Sequence, residues 1–511
     1  MRPLIATYLR PKTMKRPTLN FVTLLSLLSS ASSQAIAQAP AEVEIEVEAT
    51  PPSAPAPEVA VAPPAPSREE LDALRAQLGT LEQRLAESEA RQAEALRSEQ
   101  RARVEAESAR ATAEQRTLRE RVAKLGVTLS GYVQAQYGQS QLSQDQLLQG
   151  GAPLNQDRFA IRRGRLRLAG RWKYARADFE LDASTTRGPT ASVRRAAVGV
   201  LLPNREANAL PYLTLQLGLT EIPVGLELQQ GQDEILFLER TTGSLAFFSG
   251  PIDTGVKLEG AYGPFRAQLA VMNGVPLDDR AGGPSGIDPT RAPDYLGRLG
   301  FEVLPLDFLR IAGGASFLTG KGFHAGSDAT KPVLQWDDSN ADGVINAGEL
   351  VAVAGRGAIP SESFKHWVVG ADLDIDFRTK LGWTRLYGEL LLATNLDRAL
   401  YVADPISQGG DVRQLNWYVA AIQDLTEWGF VGLRYDVYDP NSDLVDNRRG
   451  QSIPADASLR TISPLVGARW EGFGRLTFQY DVIDDKLARD TRGVPTDVKN
   501  NQWTLRAQGQ F

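Results

Sequence analysis

From Val127 onward, apolar and polar side chains change places at every residue. Leu129, Gly131, Val133, Ala135 and Tyr137 fall on one row and Ser130, Tyr132, Gln134 and Gln136 on the other, the period of a strand with one apolar and one wet face. The pattern predicts sixteen strands, at 129–137, 159–172, 174–184, 193–202, 211–220, 252–261, 264–273, 294–304, 307–318, 364–377, 381–394, 414–424, 428–438, 460–471, 474–484 and 501–511. Lengths of about nine to fourteen residues suit tilted strands that cross a hydrocarbon layer. Connections after even-numbered strands are tight, as at Lys173, Gly263-Pro264, Pro305-Leu306, Thr426-Glu427 and Gly472-Phe473. Those after odd-numbered strands are long: 138–158, 221–251, 274–293, 319–363, 395–413, 439–459 and 485–500. Short turns on one side and long loops on the other predict a membrane barrel, whereas a soluble sandwich has no reason for the asymmetry. In the last strand Trp503, Leu505, Ala507, Gly509 and Phe511 share the apolar row, and an aromatic at that end looks like the recognition signal of outer-membrane proteins. Trp367, Trp383, Trp417, Trp470 and Trp503 stand near strand ends, where interfacial girdles form. A barrel this wide is expected to have no central core.

The first 125 residues follow other periods. Arg2, Arg10, Lys12, Lys15 and Arg16 precede the apolar stretch Leu19–Leu28, and Ala35-Ile36-Ala37 supplies small residues before Gln38, which is the order of an export signal at 1–37. Residues 38–66 gather Pro51, Pro52, Pro55, Pro57, Pro63, Pro64 and Pro66 and read as a stiff linker. Ser67-Arg68-Glu69-Glu70 has capping-box spacing, and Leu71, Leu74, Leu78, Leu81 and Leu85 recur at heptad positions. A coiled coil over 67–125 is expected, periplasmic once the chain is exported, with oligomerisation and contact to the cell wall or another envelope component as its roles. The expected fold is all-β: a 16-stranded antiparallel transmembrane β-barrel over 127–511 with an N-terminal α-helical coiled-coil extension.

Composition narrows the chemistry. The chain has no cysteine and two histidines, His324 and His366, so zinc–thiolate sites, iron–sulfur clusters and thiol nucleophiles are excluded. No Ser–His–carboxylate pattern emerges, an enzyme is not expected, and the histidines read as solvated or girdle residues. A formal net charge of −6 gives no general attraction to nucleic acid. Mean hydropathy is −0.25 and no run of eighteen apolar residues occurs, which argues against helical spans but not against a barrel.

Asp157-Arg158-Phe159-Ala160-Ile161-Arg162-Arg163-Gly164-Arg165-Leu166-Arg167-Leu168-Ala169-Gly170, Asp178–Asp182 and Gly218–Glu227 open the barrel, and Phe237–Arg240, Asp253–Val256 and Val271–Gly274 follow in order. In these segments the chain resembles the phosphate-selective porins O and P over roughly residues 127 to 511. The resemblance implies a homotrimer of sixteen-stranded barrels in outer-membrane lipid, each with a water-filled pore and a third loop, here 221–251, folded inward as a constriction. The lysine clusters behind phosphate specificity in that family have no residue-by-residue match here.

Lumenal charges set what such a pore passes. Arg163, Arg165 and Arg167 share one face of the second strand, so their guanidiniums step along the wall at about 6–7 Å intervals. Guanidinium forks suit oxyanions and stay charged, which predicts a track for small anionic solutes such as phosphate. Arg195, Arg434 and Arg469 are the further anion-binding candidates, with Arg266, Arg298, Arg475 and Arg506 also expected inward. Arg176, Asp178, Glu180 and Asp182 share the facing row of the third strand, and pairing there would neutralise the ladder. The alternative to a channel is a structural tether, in which the barrel anchors the coiled coil and loop 221–251 plugs or blunts the pore.

Within the longest loop, residues 338–349 match the D-x-[DN]-x-[DN]-G-x5-E pattern of calcium loops. Oxygens of Asp338, Asn340 and Asp342, the Val344 carbonyl, Asn346 and a bidentate Glu349 could surround a hard cation while Gly343 makes the turn. Ca2+ that orders an external loop is the expectation, although no amphipathic helices flank the motif.

Overall fold

Backbone donors and acceptors in alternating segments are satisfied when each strand pairs with the next and the last pairs with the first. The structure, a computed structural model, shows this closure. It describes residues 125–511 apart from 148–150, 152, 187, 206–208, 276–288, 338–342, 449–450, 471 and 487–495, together with scattered positions between Ala76 and Ser98. In chain order the strands are β1 Val127–Ser140, β2 Arg158–Arg171, β3 Ala175–Ser184, β4 Thr190–Leu202, β5 Leu213–Glu221, β6 Ile252–Tyr262, β7 Phe265–Met272, β8 Asp294–Leu306, β9 Leu309–His324, β10 Val333–Trp336, β11 Leu350–Val353, β12 Glu362–Arg378, β13 Trp383–Thr394, β14 Arg413–Asp424, β15 Gly429–Asp439, β16 Val445–Arg448, β17 Gln451–Pro454, β18 Leu459–Trp470, β19 Gly474–Asp485 and β20 Gln502–Gln510. Two short helices, α1 Thr242–Phe247 and α2 Pro405–Gln408, lie in loops.

Sixteen of these strands close into one barrel in the order β1 to β9, β12 to β15 and β18 to β20, as the periodicity predicts. All neighbours in the barrel are antiparallel, and β1 closes on β20 from Tyr132↔Gln510 to Ser140↔Gln502. The seam is completed by Phe511, which exchanges backbone hydrogen bonds of 3.0 and 3.2 Å with Gly131. A side chain at Gly131 would meet the Arg165 carbonyl at 2.4 Å and the Phe511 ring at 2.7 Å, so the seam closes only over glycine.

The two faces invert the order of a soluble protein. Val198, Leu217 and Leu299 stand more than half exposed on the outside, while Gln134, Gln216, Lys257, Gln268 and Asp374 are buried inside, as a barrel in lipid requires. Trp503 packs with Tyr137 and Phe478, and Trp417 with Tyr435.

Four features depart from expectation. Residues 319–363 and 439–459 are not plain loops: β9 runs on to His324, and β10–β11 and β16–β17 form separate hairpins. Pro305 is not in a turn but inside β8, where the register jumps between Val303↔Ile311 and Leu306↔Leu309; a residue without an N–H is tolerated at such an irregularity. The lumen also has an apolar core, because Ile222, Val224, Leu228, Phe247 and Phe248 of the inward loop pack on Met272, Leu296, Leu318, Val368 and Leu391. Finally, His366 is neither solvated nor in a girdle. It is 1% exposed, with Nε2 3.0 Å from Asp294 Oδ2, and His324 Nδ1 lies 2.5 Å from Asp404 Oδ2. Both carboxylates come from distant strands or loops, which sequence proximity could not reveal.

The export segment and linker lie outside the described residues, as do the heptad leucines. The described positions between Ala76 and Ser98 are helical and exposed.

Candidate functional site

Loop 222–251 leaves β5, turns into the lumen and returns at β6. Its entry needs Gly225, whose φ is +63° and where a Cβ would lie 1.8 Å from Glu389 Oε1. Glu389 of β13 accepts hydrogen bonds from the Leu226 and Glu227 N–H groups at 3.2 Å. The Glu227 carboxylate in turn receives the Thr241 N–H at 3.0 Å and its hydroxyl at 2.7 Å, at the start of α1. Opposite, Gln479 accepts from the Leu238 N–H at 2.9 Å, and Gln134 and Gln508 donate to the carbonyls of Gln232 and Asp233. Buried polar side chains of a wet wall find partners in the backbone of an irregular loop, so the loop is fixed at both flanks.

Its tip carries Glu239 into a group of guanidiniums. Arg162 grips the carboxylate with Nε and Nη2 at 2.8 and 3.0 Å, Arg163 donates at 2.9 Å and Arg506 at 2.6 Å. Partial burial works against ionisation of Glu239, but Arg163, Arg162 and Arg506 hold its carboxyl well below the ordinary range. Arg240 follows, its Nε donating to the Glu227 carbonyl at 3.3 Å. Beside the tip a cavity of about 280 Å³ is lined by Arg162, Glu239, Arg240, Arg434, Asp481 and Arg506 among others.

Arg163, Arg165 and Arg167 do share the lumenal face of β2, but only Arg163 reaches the loop. Arg165 lies 3.3 Å from both Glu180 and Asp182, and Arg167 lies 3.4 Å from Glu180, so the lower rungs are paired across β2–β3. Arg195 pairs with Glu221. Arg434, fully enclosed under the loop, donates to the Glu239 carbonyl at 2.9 Å and stands 3.5 Å from Glu227. Arg469 pairs with Asp424 close to the short-turn end, away from the constriction. Arg298 pairs with Asp372 and Arg266 lies 3.9 Å from Glu302. The structure thus brings together Arg163, Arg434 and Arg506, and separates Arg165, Arg167, Arg195 and Arg469 into ion pairs along the wall.

Sequence reasoning passed over Arg162, Arg194, Glu239 and Arg240. A signal existed for two of them. Ile161-Arg162-Arg163-Gly164 and Val193-Arg194-Arg195-Ala196 put two charges in succession where strict alternation allows one to face water.

Of the calcium motif, Asp338, Asn340 and Asp342 lie outside the described residues. The motif is spanned by the β10–β11 hairpin, with Trp336 paired to Leu350 and a 3-10 turn at Ala347–Glu349, not by two helices. Glu349 is buried, and its Oε2 accepts from Trp336 Nε1 at 3.1 Å and from the Asn346 N–H at 3.3 Å. Among the described residues, no group of three or more acidic or histidine side chains is arranged to hold a metal.

No family model and no curated protein sequence matches the chain. Solved structures of similar fold include the outer-membrane protein OmpT of Vibrio cholerae in its trimer form, 10% identical, covering 75% of this chain and 99% of that one with a TM-score of 0.44. They also include the anion-selective porin from Comamonas acidovorans, 13% identical over 75% and 98% with a TM-score of 0.43. The outer-membrane channel DcaP of Acinetobacter baumannii is 9% identical over 75% and 97% with a TM-score of 0.46.

Proposed function

We propose that the chain forms a water-filled outer-membrane channel for passive diffusion of small solutes, with small anions, phosphate among them, favoured at the constriction. The observation that carries this reading is the convergence of Arg162, Arg163 and Arg506 on the single carboxylate of Glu239 at the tip of a loop inside the barrel. Three fixed positive charges against one negative charge leave a local excess, and a narrow lumen with low-dielectric walls focuses it on a passing ion. The paired rungs at Arg165 and Arg167 favour general anion preference over tight phosphate binding. In this reading three barrels assemble in outer-membrane lipid, residues 67–125 stand in the periplasm as a coiled coil, and Ca2+ at 338–349 orders an external loop. The reaction is transport and not catalysis.

Single-channel recording of the purified full chain in planar bilayers tests the reading. Discrete conductance steps support a channel, and added phosphate that lowers the chloride current supports an oxyanion site within it. Absence of conductance from a folded, inserted barrel would overturn the channel and favour the tether.

A further inference from the structure

Besides the irregularity at Pro305, the described wall carries two register shifts, and both of these fall at Arg–Arg pairs. Between β1 and β2 the register runs Gln134↔Arg163 and then Ala135↔Ile161, which leaves Arg162 unopposed. Between β3 and β4 it runs Glu180↔Arg195 and then Leu181↔Val193, which leaves Arg194 unopposed. Each is a bulge in which two residues face one. A regular strand would turn one arginine of each pair toward lipid, at about 2–4 kcal/mol near the bilayer midplane. The bulges remove that cost, because both members point inward. Arg162 and Arg163 grip the same Glu239 carboxylate. Arg194 and Arg195 are each 8% exposed, while Val193 on the outer face is 40% exposed. Arg194 stands next in β4 to Arg195, whose guanidinium pairs with Glu221 where β5 gives way to loop 222–251.

We propose that the bulged residues Arg162 and Arg194 are determinants of charge selectivity for small anions. They add two positive charges to the lumenal face that a regular wall could not carry, one of them on the loop-tip carboxylate of Glu239. The inference rests on the channel reading and goes beyond it. The ladder of alternate positions is largely answered by Glu180, Asp182 and Glu221, whereas the bulge at Arg162 brings a third guanidinium to a carboxylate that already has two.

The natural chain has no cysteine, which makes substituted-cysteine accessibility a clean test. Single variants R162C, R163C, R194C and R195C of the full chain are inserted into planar bilayers. Each is treated with a small cationic or a small anionic methanethiosulfonate reagent from the aqueous side while reversal potential is followed in a KCl gradient. Modification of both members of each pair is expected. R162C and R194C should each lower the anion-to-cation permeability ratio about threefold near 0.1 M salt. The cationic adduct should restore the ratio and the anionic adduct should lower it about threefold again. A heat-modifiable band on electrophoresis identifies folded barrels, and R162K, which keeps the charge but not the two-point grip on Glu239, should retain more of the anion preference than R162C. If only one member of each pair reacts, or if R162C and R194C leave the reversal potential unmoved, the inference fails. The channel reading fails separately, if the natural chain passes no current. A natural chain that conducts but prefers cations would sink the anion preference, while a further cation-ward shift in R162C would still support the inference.

Discussion

Glu239→Gln changes one formal charge at the constriction with almost no change of shape. Among the described residues, Glu239 is the carboxylate that Arg162, Arg163 and Arg506 share, so the substitution takes the balance of these four groups from three against one to three against none. A monovalent ion passing about 7 Å away through water feels the lost charge as about 332/(80 × 7), or about 0.6 kcal/mol. Screening at 0.1 M salt, where the Debye length is about 10 Å, halves this to about 0.3 kcal/mol. That is a factor of about 1.6 in partition for an anion and its inverse for a cation, hence about a threefold rise in the anion-to-cation permeability ratio. At 1 M salt, with a Debye length of about 3 Å, the same change shrinks to about 1.2-fold. Reversal potentials of the variant and the natural chain, measured in KCl gradients centred on each salt concentration, give both numbers. A ratio that stays constant or falls at 0.1 M would rule out an electrostatic role for Glu239, as would a rise that persists undiminished at 1 M. A second effect follows from the geometry. Four charge-assisted hydrogen bonds tie the loop tip to the wall through this carboxylate, and an amide oxygen replaces them poorly, so open-channel current noise should increase.

Gly225→Ala should loosen the loop at its other end. The left-handed backbone there costs a non-glycine residue about 1–2 kcal/mol, and the new methyl would displace the Glu389 carboxylate that holds Leu226 and Glu227. Faster proteolysis within 222–251 and noisier openings are expected, and a trace indistinguishable from the natural chain would count against the anchor. Acid should also release the loop. The folded-state Glu239 carboxyl is held below its unfolded value, so its contribution is fully present above the unfolded value of about 4.3 and is lost as pH falls toward the folded one. Current noise should rise below about pH 4; noise that does not grow on acidification would contradict this. Calcium should bind the full chain weakly, at about 10⁻⁴–10⁻³ M, and slow protease cleavage within 325–361. Heat of binding that survives Asp342→Ala would place the ion elsewhere.

The barrel was legible because lipid and water impose opposite demands on alternate residues of every spanning strand. The rows of β1 and β20 can be read directly from Val133/Gln134 and Leu505/Arg506. Loop asymmetry is equally plain, since tight turns and long loops differ in length alone. The constriction was only partly legible. Its third-loop placement came from family resemblance, and its apolar face, with Phe247 and Phe248 against Leu296 and Val368, carries no periodic signal because the loop meets several strands at once. The bulges at Arg162 and Arg194 escaped a reading that assumed an unbroken period of two, although an unmatched charge in lipid was reason enough to suspect them. His366 escaped for another cause. Its partner Asp294 is 72 residues away in sequence, and only closure of the barrel makes them neighbours.

An open lumen with excess positive charge around the tip of loop 222–251 should pass chloride ahead of potassium. The most direct measurement is the reversal potential of the natural full chain across a planar bilayer with a tenfold KCl gradient at low salt. Excess positive charge in the lumen displaces the reversal potential toward the chloride equilibrium value. Displacement toward the potassium value would contradict it.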